Sequence, residues 1–68
     1  MDKVKQRVVD ELNELSERTS KLVKFTLSEK FSSLSTNMQR LINKQIYIML
    51  NYGDVLRSRL ECWEVEEK

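Results

Sequence analysis

Histidine and proline are absent from the 68 residues, and glycine, cysteine and tryptophan occur once each. Each gap removes a class of protein. Without histidine there is no imidazole to act as general acid or base and no ordinary nucleophile triad. The one cysteine, Cys62, allows no intrachain disulfide and cannot build a structural zinc site. With no activating base near it in sequence, we expect it to be a buried structural thiol rather than a nucleophile. A single glycine makes no phosphate-cradling loop. No apolar run approaches the roughly 18–20 residues that span a bilayer. The opening Met1-Asp2-Lys3-Val4-Lys5 has no apolar centre of the kind a signal peptide carries. We therefore expect a non-enzymatic protein without cofactor, metal or membrane partner, in a reducing, cytoplasmic setting.

Charge of one sign is also missing. Acids and bases nearly cancel, at a formal net charge of +1. General nucleic-acid binding calls for a strong basic excess and is not expected. A local cluster of bases remains compatible with a small anionic ligand. The carboxylate pairs on offer, Asp10 with Glu14 and Glu61 with Glu64, read as solvated helix surface.

What is present favours long helices, since nothing in the composition supplies the turns of a sheet protein. The spacing predicts an all-α chain with one helix over about 3–27, a serine-rich connection over 28–36, and a second helix over about 37–65. In the first, Val4, Val8, Leu12, Leu15, Thr19, Leu22 and Phe25 step by threes and fours, giving one apolar stripe. Glu14–Arg18 and Glu17–Lys21 are favourable pairs across one turn on its polar side. Serines mark the connection because their hydroxyls compete for backbone hydrogen bonds, and a short helical turn can start near Ser28. Phe31 and Leu34 should close the end of the core. Ser35 or Thr36 caps the second helix, and Thr36-Asn37-Met38-Gln39 has the form of a capping box.

The second helix is apolar on more than one side. Met38, Leu41, Ile42, Gln45, Met49, Tyr52, Leu56, Arg59, Leu60 and Trp63 recur at steps of three and four, while Ile46, Tyr47, Ile48, Met49 and Leu50 run consecutively. Consecutive residues cannot all face one partner when a turn takes about 3.6 residues. A helix apolar nearly all round must be covered nearly all round. We therefore expect an antiparallel helical hairpin that assembles into a homo-oligomeric bundle, with Ile46, Tyr47, Ile48, Leu50 and Trp63 at the interface. Gly53 interrupts the pattern, yet Met49, Tyr52, Leu56 and Leu60 keep one phase across it. A continuous helix is expected, with the glycine marking a close approach of another helix or of a ligand, helix packing being the preferred reading.

Candidate ligand contacts are cationic or aromatic. Arg18, Lys21 and Lys24 form a drifting row on the first helix, and Arg7 lies near its start. Arg59 neighbours the apolar phase of Met49 and Tyr52. Two readings of it stand: a stem covering apolar surface, or a planar fork aimed at a phosphate held between subunits. Tyr47, Tyr52 and Trp63 are open in the same way between filling an interface and stacking on a base.

Taken together, Arg7-Val8-x-x-Glu11-x-x-x-Leu15, Lys21-Leu22-x-x-Phe25, Leu41-Ile42-x-x-Gln45-x-x-x-Met49-x-x-Tyr52 and Val55-Leu56-x-x-Arg59-Leu60 resemble a group of small helical bacteriophage proteins of the crAss-phage-related type. Among these the chain is similar to the anti-CBASS sponges. The resemblance implies a compact helical homo-oligomer, a hexamer, in the bacterial host cell. It implies counter-defence by sequestering a cyclic di- or trinucleotide messenger without cleaving it. It places a lysine and an arginine at the pocket, for which Lys21 and Arg59 match best; Lys24, Arg7 and Tyr52 are further candidates on charge and aromatic character alone. The stacking aromatic of that group has no counterpart, Val4 being nearest. A rival reading is a phage protein-interaction module that docks a host protein through the apolar surface around Tyr47–Leu50.

Overall fold

The computed structural model describes residues 2–66 of the chain. The protein is all-α: α1 covers Asp2–Phe25, α2 is a single turn over Glu29–Ser32, and α3 covers Thr36–Glu66. With α1 of 24 residues and α3 of 31, the body measures 51 × 15 × 13 Å, close to the length of one helix. α1 and α3 pack on each other.

The first helix stops at Phe25, and the hydrogen bonds give the reason. The amides of Leu27 and Ser28 donate to the carbonyls of Lys24 and Phe25, at 3.1 and 3.0 Å, so the last turn tightens. The Thr26 and Ser28 hydroxyls donate to the carbonyls of Val23 and Phe25, each at 2.6 Å, satisfying acceptors that a helix end leaves open. Ser28 then leaves the helical region (φ −90°, ψ 160°), and its Oγ accepts from the Phe31 amide at 3.3 Å, capping α2. One serine thus closes one helix and starts the next. Phe31 is buried and meets Phe25 edge to face, with centroids 6.0 Å apart. That is a favourable aromatic geometry, and it closes this end of the core.

Ser35 caps α3, its Oγ accepting from the Met38 amide at 3.1 Å. The capping box anticipated from Thr36 does not form. Gln39 Nε2 instead donates back to the carbonyls of Leu34 and Ser32, at 2.9 and 3.3 Å, and ties α3 to α2. Among the described residues none has a positive φ, so the chain makes this joint without a glycine.

Val8, Leu15 and Leu56 form the centre of the core, with Leu12, Met49, Leu60 and Trp63 packed against them. Leu56 has no exposed surface. On α3 the inward row is Ile42, Ile46, Met49, Gly53, Leu56, Leu60 and Trp63, each buried or half-buried, in alternating steps of four and three. That is the 3.5-residue period of coiled-coil packing. Its phase differs from the expected stripe: Met38, Leu41, Gln45, Tyr52 and Arg59 are exposed, and Ile46 and Gly53 hold inward places, so Gly53 rather than Tyr52 faces α1. A Cβ built on Gly53 would lie 3.8 Å from Leu15 Cδ2 and 3.9 Å from Leu12 Cδ1, so the leucines of α1 rest over its backbone. α3 stays helical through Gly53. Thr19 is buried on α1, and its hydroxyl donates to the Leu15 carbonyl at 2.7 Å, which meets the requirement that a buried polar group be bonded.

Candidate functional site

A groove of about 410 Å³ runs along one side of the α1–α3 contact. Its origin is local. Ser16 and Ser20 of α1 and Gly53 of α3 are too small to fill the space between the helices. Leu15, Val23, Met49 and Leu50 give the walls an apolar character, and Lys24 and Arg57 supply two cations. Arg57 is drawn over the glycine, with its Nη1 3.5 Å from where a Cβ would stand. The same Nη1 holds Asp54 Oδ1 at 3.2 Å. The Thr19 hydroxyl is committed to its own helix, so Ser16 and Ser20 are the hydroxyls this wall offers. The volume lies within the range of small-molecule sites, and apolar walls with a few placed charges are the usual make-up of such a site. An amphipathic anion is the ligand class that fits.

The five expected ligand residues do not meet in a single chain. Lys24 lines the groove. Lys21 lies outside it, in a shallow depression of about 330 Å³ shared with Glu14, Glu17 and Arg18. There Lys21 Nζ sits 3.3 Å from Glu17 Oε1, the pair expected from the sequence. Glu14 and Glu17 there offset the charges of Arg18 and Lys21, so the depression offers an anion no net positive charge. Tyr52 and Arg59 are exposed and share one row of α3, about 10 Å apart along the axis. Arg7 is exposed, about 21 Å of helix away from Lys21. Arg57, the cation the groove uses, carries no signal in the sequence beyond its charge. It stands four residues after the glycine, one helical turn on, and the structure shows its guanidinium lying over the glycine.

The five expected interface residues divide as well. Trp63 packs against the core of its own chain, and Ile46 is half-buried on the inward row. Leu50 lines the groove. Tyr47 and Ile48 are left, 66% and 55% exposed on neighbouring rows of α3. Cys62 is exposed, which corrects the expectation of a buried thiol: it precedes Trp63, the residue that turns inward. Among the described residues no group of histidine, cysteine, aspartate and glutamate could hold a metal ion. No described helix is long and apolar enough to cross a membrane.

The family model described as Sequestin matches residues 2–62 of the chain. No curated protein and no solved structure matches it significantly.

Proposed function

The chain belongs to the Sequestin family, and from that premise we propose that it is a non-enzymatic sponge: an antiparallel helical hairpin that assembles with copies of itself and sequesters a cyclic di- or trinucleotide intact. The observation that carries this reading is the groove, whose apolar walls suit a base and whose Lys24 and Arg57 suit a phosphate. The family name agrees with holding a ligand rather than converting it. In the setting implied by the resemblance, the role is that of a phage protein in the bacterial cytoplasm, keeping a defence messenger from its effector. Lys21, Arg59, Arg7 and Tyr52 lie outside the groove, so in this reading they reach ligand only across a boundary between subunits, as in a hexamer.

Isothermal titration calorimetry against a panel of cyclic di- and trinucleotides tests the reading on three proteins. Micromolar or tighter binding is expected for the unaltered chain. Lys24→Ala/Arg57→Ala should weaken it at least about tenfold, since a charged hydrogen bond contributes about 1.5–3 kcal/mol. If Lys21→Ala/Arg59→Ala abolishes binding and the groove variant does not, the pocket lies between subunits. If the unaltered chain ignores the panel, the rival gains: the exposed Tyr47, Ile48 and Leu50 would serve a host protein.

A further inference from the structure

The apolar row that α3 leaves exposed, Met38, Leu41, Ile48, Tyr52 and Val55, answers to the self-assembly already proposed. The charges answer to something else. A net charge of +1 hides an uneven distribution. Leu15 of α1 lies against Gly53 of α3, so this contact divides the body into an end that carries α2 and an end that carries the outer parts of α1 and α3. Residues 15–53, the α2 end, hold six bases and two acids, a balance of +4. Residues 2–14 and 54–66, the other end, hold five bases and eight acids, a balance of −3. After Glu29 no acid occurs until Asp54, and Lys30, Arg40 and Lys44 fall in that interval. The ion pairs among the described residues are Lys21–Glu17 and Arg57–Asp54, which leaves these three bases exposed and unpaired there. Helix stability does not ask for this, since opposite charges one turn apart would serve it better.

The groove belongs to the basic end. Among the described residues that line it, Arg57 alone lies beyond Gly53. Lys30, Arg40 and Lys44 do not line it. Along α3, Lys44 stands about 8 Å and Arg40 about 14 Å from the level of Met49 in its wall. They are away from the ligand's contacts yet within reach of its charge, because the screening length is about 8 Å at physiological salt and about 30 Å at 10 mM. We infer that the α2 end is an anion collector: Lys30, Arg40 and Lys44 draw a phosphate-bearing ligand to the groove and speed its capture, while Lys24 and Arg57 hold it once it arrives. The acidic end repels the same ligand, so the approach is from the α2 side. Charges placed in this way act on the rate of association more than on the rate of escape. For sequestration the rate matters, because the ligand must be taken up before it reaches its receptor. The inference rests on the ligand of the proposed function and adds how that ligand arrives.

Stopped-flow fluorescence with cyclic di- and trinucleotides carrying 2-aminopurine, a fluorescent purine, separates the two rates. Arg40→Gln/Lys44→Gln should slow association about threefold at about 10 mM ionic strength and leave dissociation within about twofold. Near 1 M salt, where the screening length is about 3 Å, this variant and the unaltered protein should coincide. Glu29→Gln should speed association at low salt. Lys3→Gln/Lys5→Gln removes the same charge from the other end and should change association less. Lys24→Ala/Arg57→Ala should instead raise the dissociation rate. Association left unchanged by Arg40→Gln/Lys44→Gln and by Glu29→Gln would overturn the inference. Equal slowing by Lys3→Gln/Lys5→Gln would overturn it by making total charge the cause. A change confined to dissociation would overturn it by placing Arg40 and Lys44 in direct contact with ligand. An unaltered chain that binds none of these nucleotides would remove the proposed ligand and this inference together, whereas binding at a rate indifferent to these charges would remove the inference alone.

Discussion

α1 and α3 are built to different specifications. On α1 the inward row, Val8, Leu12, Leu15, Thr19 and Leu22, is buried or half-buried, and most of the remaining surface is polar. α3 devotes one row to that same contact, through Met49, Leu56, Leu60 and Trp63, and keeps a second apolar row in the open. A helix with one apolar row is satisfied by one neighbour. A helix with two is incomplete in a single chain, and its extra row is a statement about what else is present. The difference also separates the two kinds of energy at stake, folding in the shared row and association in the unshared one.

The largest effect should come from breaking the row both helices share. Leu56→Ala removes a side chain with no exposed surface and should cost about 2–5 kcal/mol, read from urea unfolding at fixed protein concentration. Ile48→Glu strikes only the second row. It should leave helix content unchanged and weaken association by about ten- to a hundredfold, since burying such a side chain contributes about 1.5–3 kcal/mol. If instead it unfolds the chain as Leu56→Ala does, the two rows are not separate in function. Gly53→Ala sharpens the contrast in the opposite direction. Its methyl would meet Arg57, Leu15 and Leu12 at 3.5–3.9 Å, ordinary contact distances, so the helix preference for alanine should raise stability by up to about 1 kcal/mol in a thermal melt. Because the same methyl narrows the groove, ligand affinity should fall as the melting temperature rises. Lys21→Ala should change folding stability least, by about 0.5 kcal/mol or less, because its pair with Glu17 is exposed on both sides.

The clean helix was the legible one. The α1 row can be read from its spacing from Val8 onward, although Val4, counted in the stripe, is exposed; Ser28 and Ser35, the latter one of two candidates with Thr36, cap by a local mechanism that serine favours. The phase of α3 was harder to read for a physical reason. Two apolar rows one residue apart merge into a single broad stripe, and the place that would separate them at the helix centre is held by Gly53, which has no side chain to count. The expected stripe therefore mixes Met38, Leu41, Gln45, Tyr52 and Arg59 of the exposed side with residues of the inward row. The groove was illegible for a related reason: it arises from what is small, at Ser16, Ser20 and Gly53, and small residues carry no pattern. Lys24 was singled out by charge alone, and Arg57 acquires its position only once the glycine is seen packed beneath it.

The length of the body bears on how its assembly can be counted. At a radius of gyration of 15.6 Å, the chain is well above the roughly 11 Å of a compact domain of this size. A rod tumbles and diffuses like a heavier sphere, so one copy would leave a sizing column early and pass for a dimer calibrated on globular standards. Two rods laid side by side gain mass with almost no gain in length. Pairing would therefore double the scattered intensity at zero angle while the radius of gyration barely moved, and the ratio of those two quantities, more than either alone, reports whether the second row is covered.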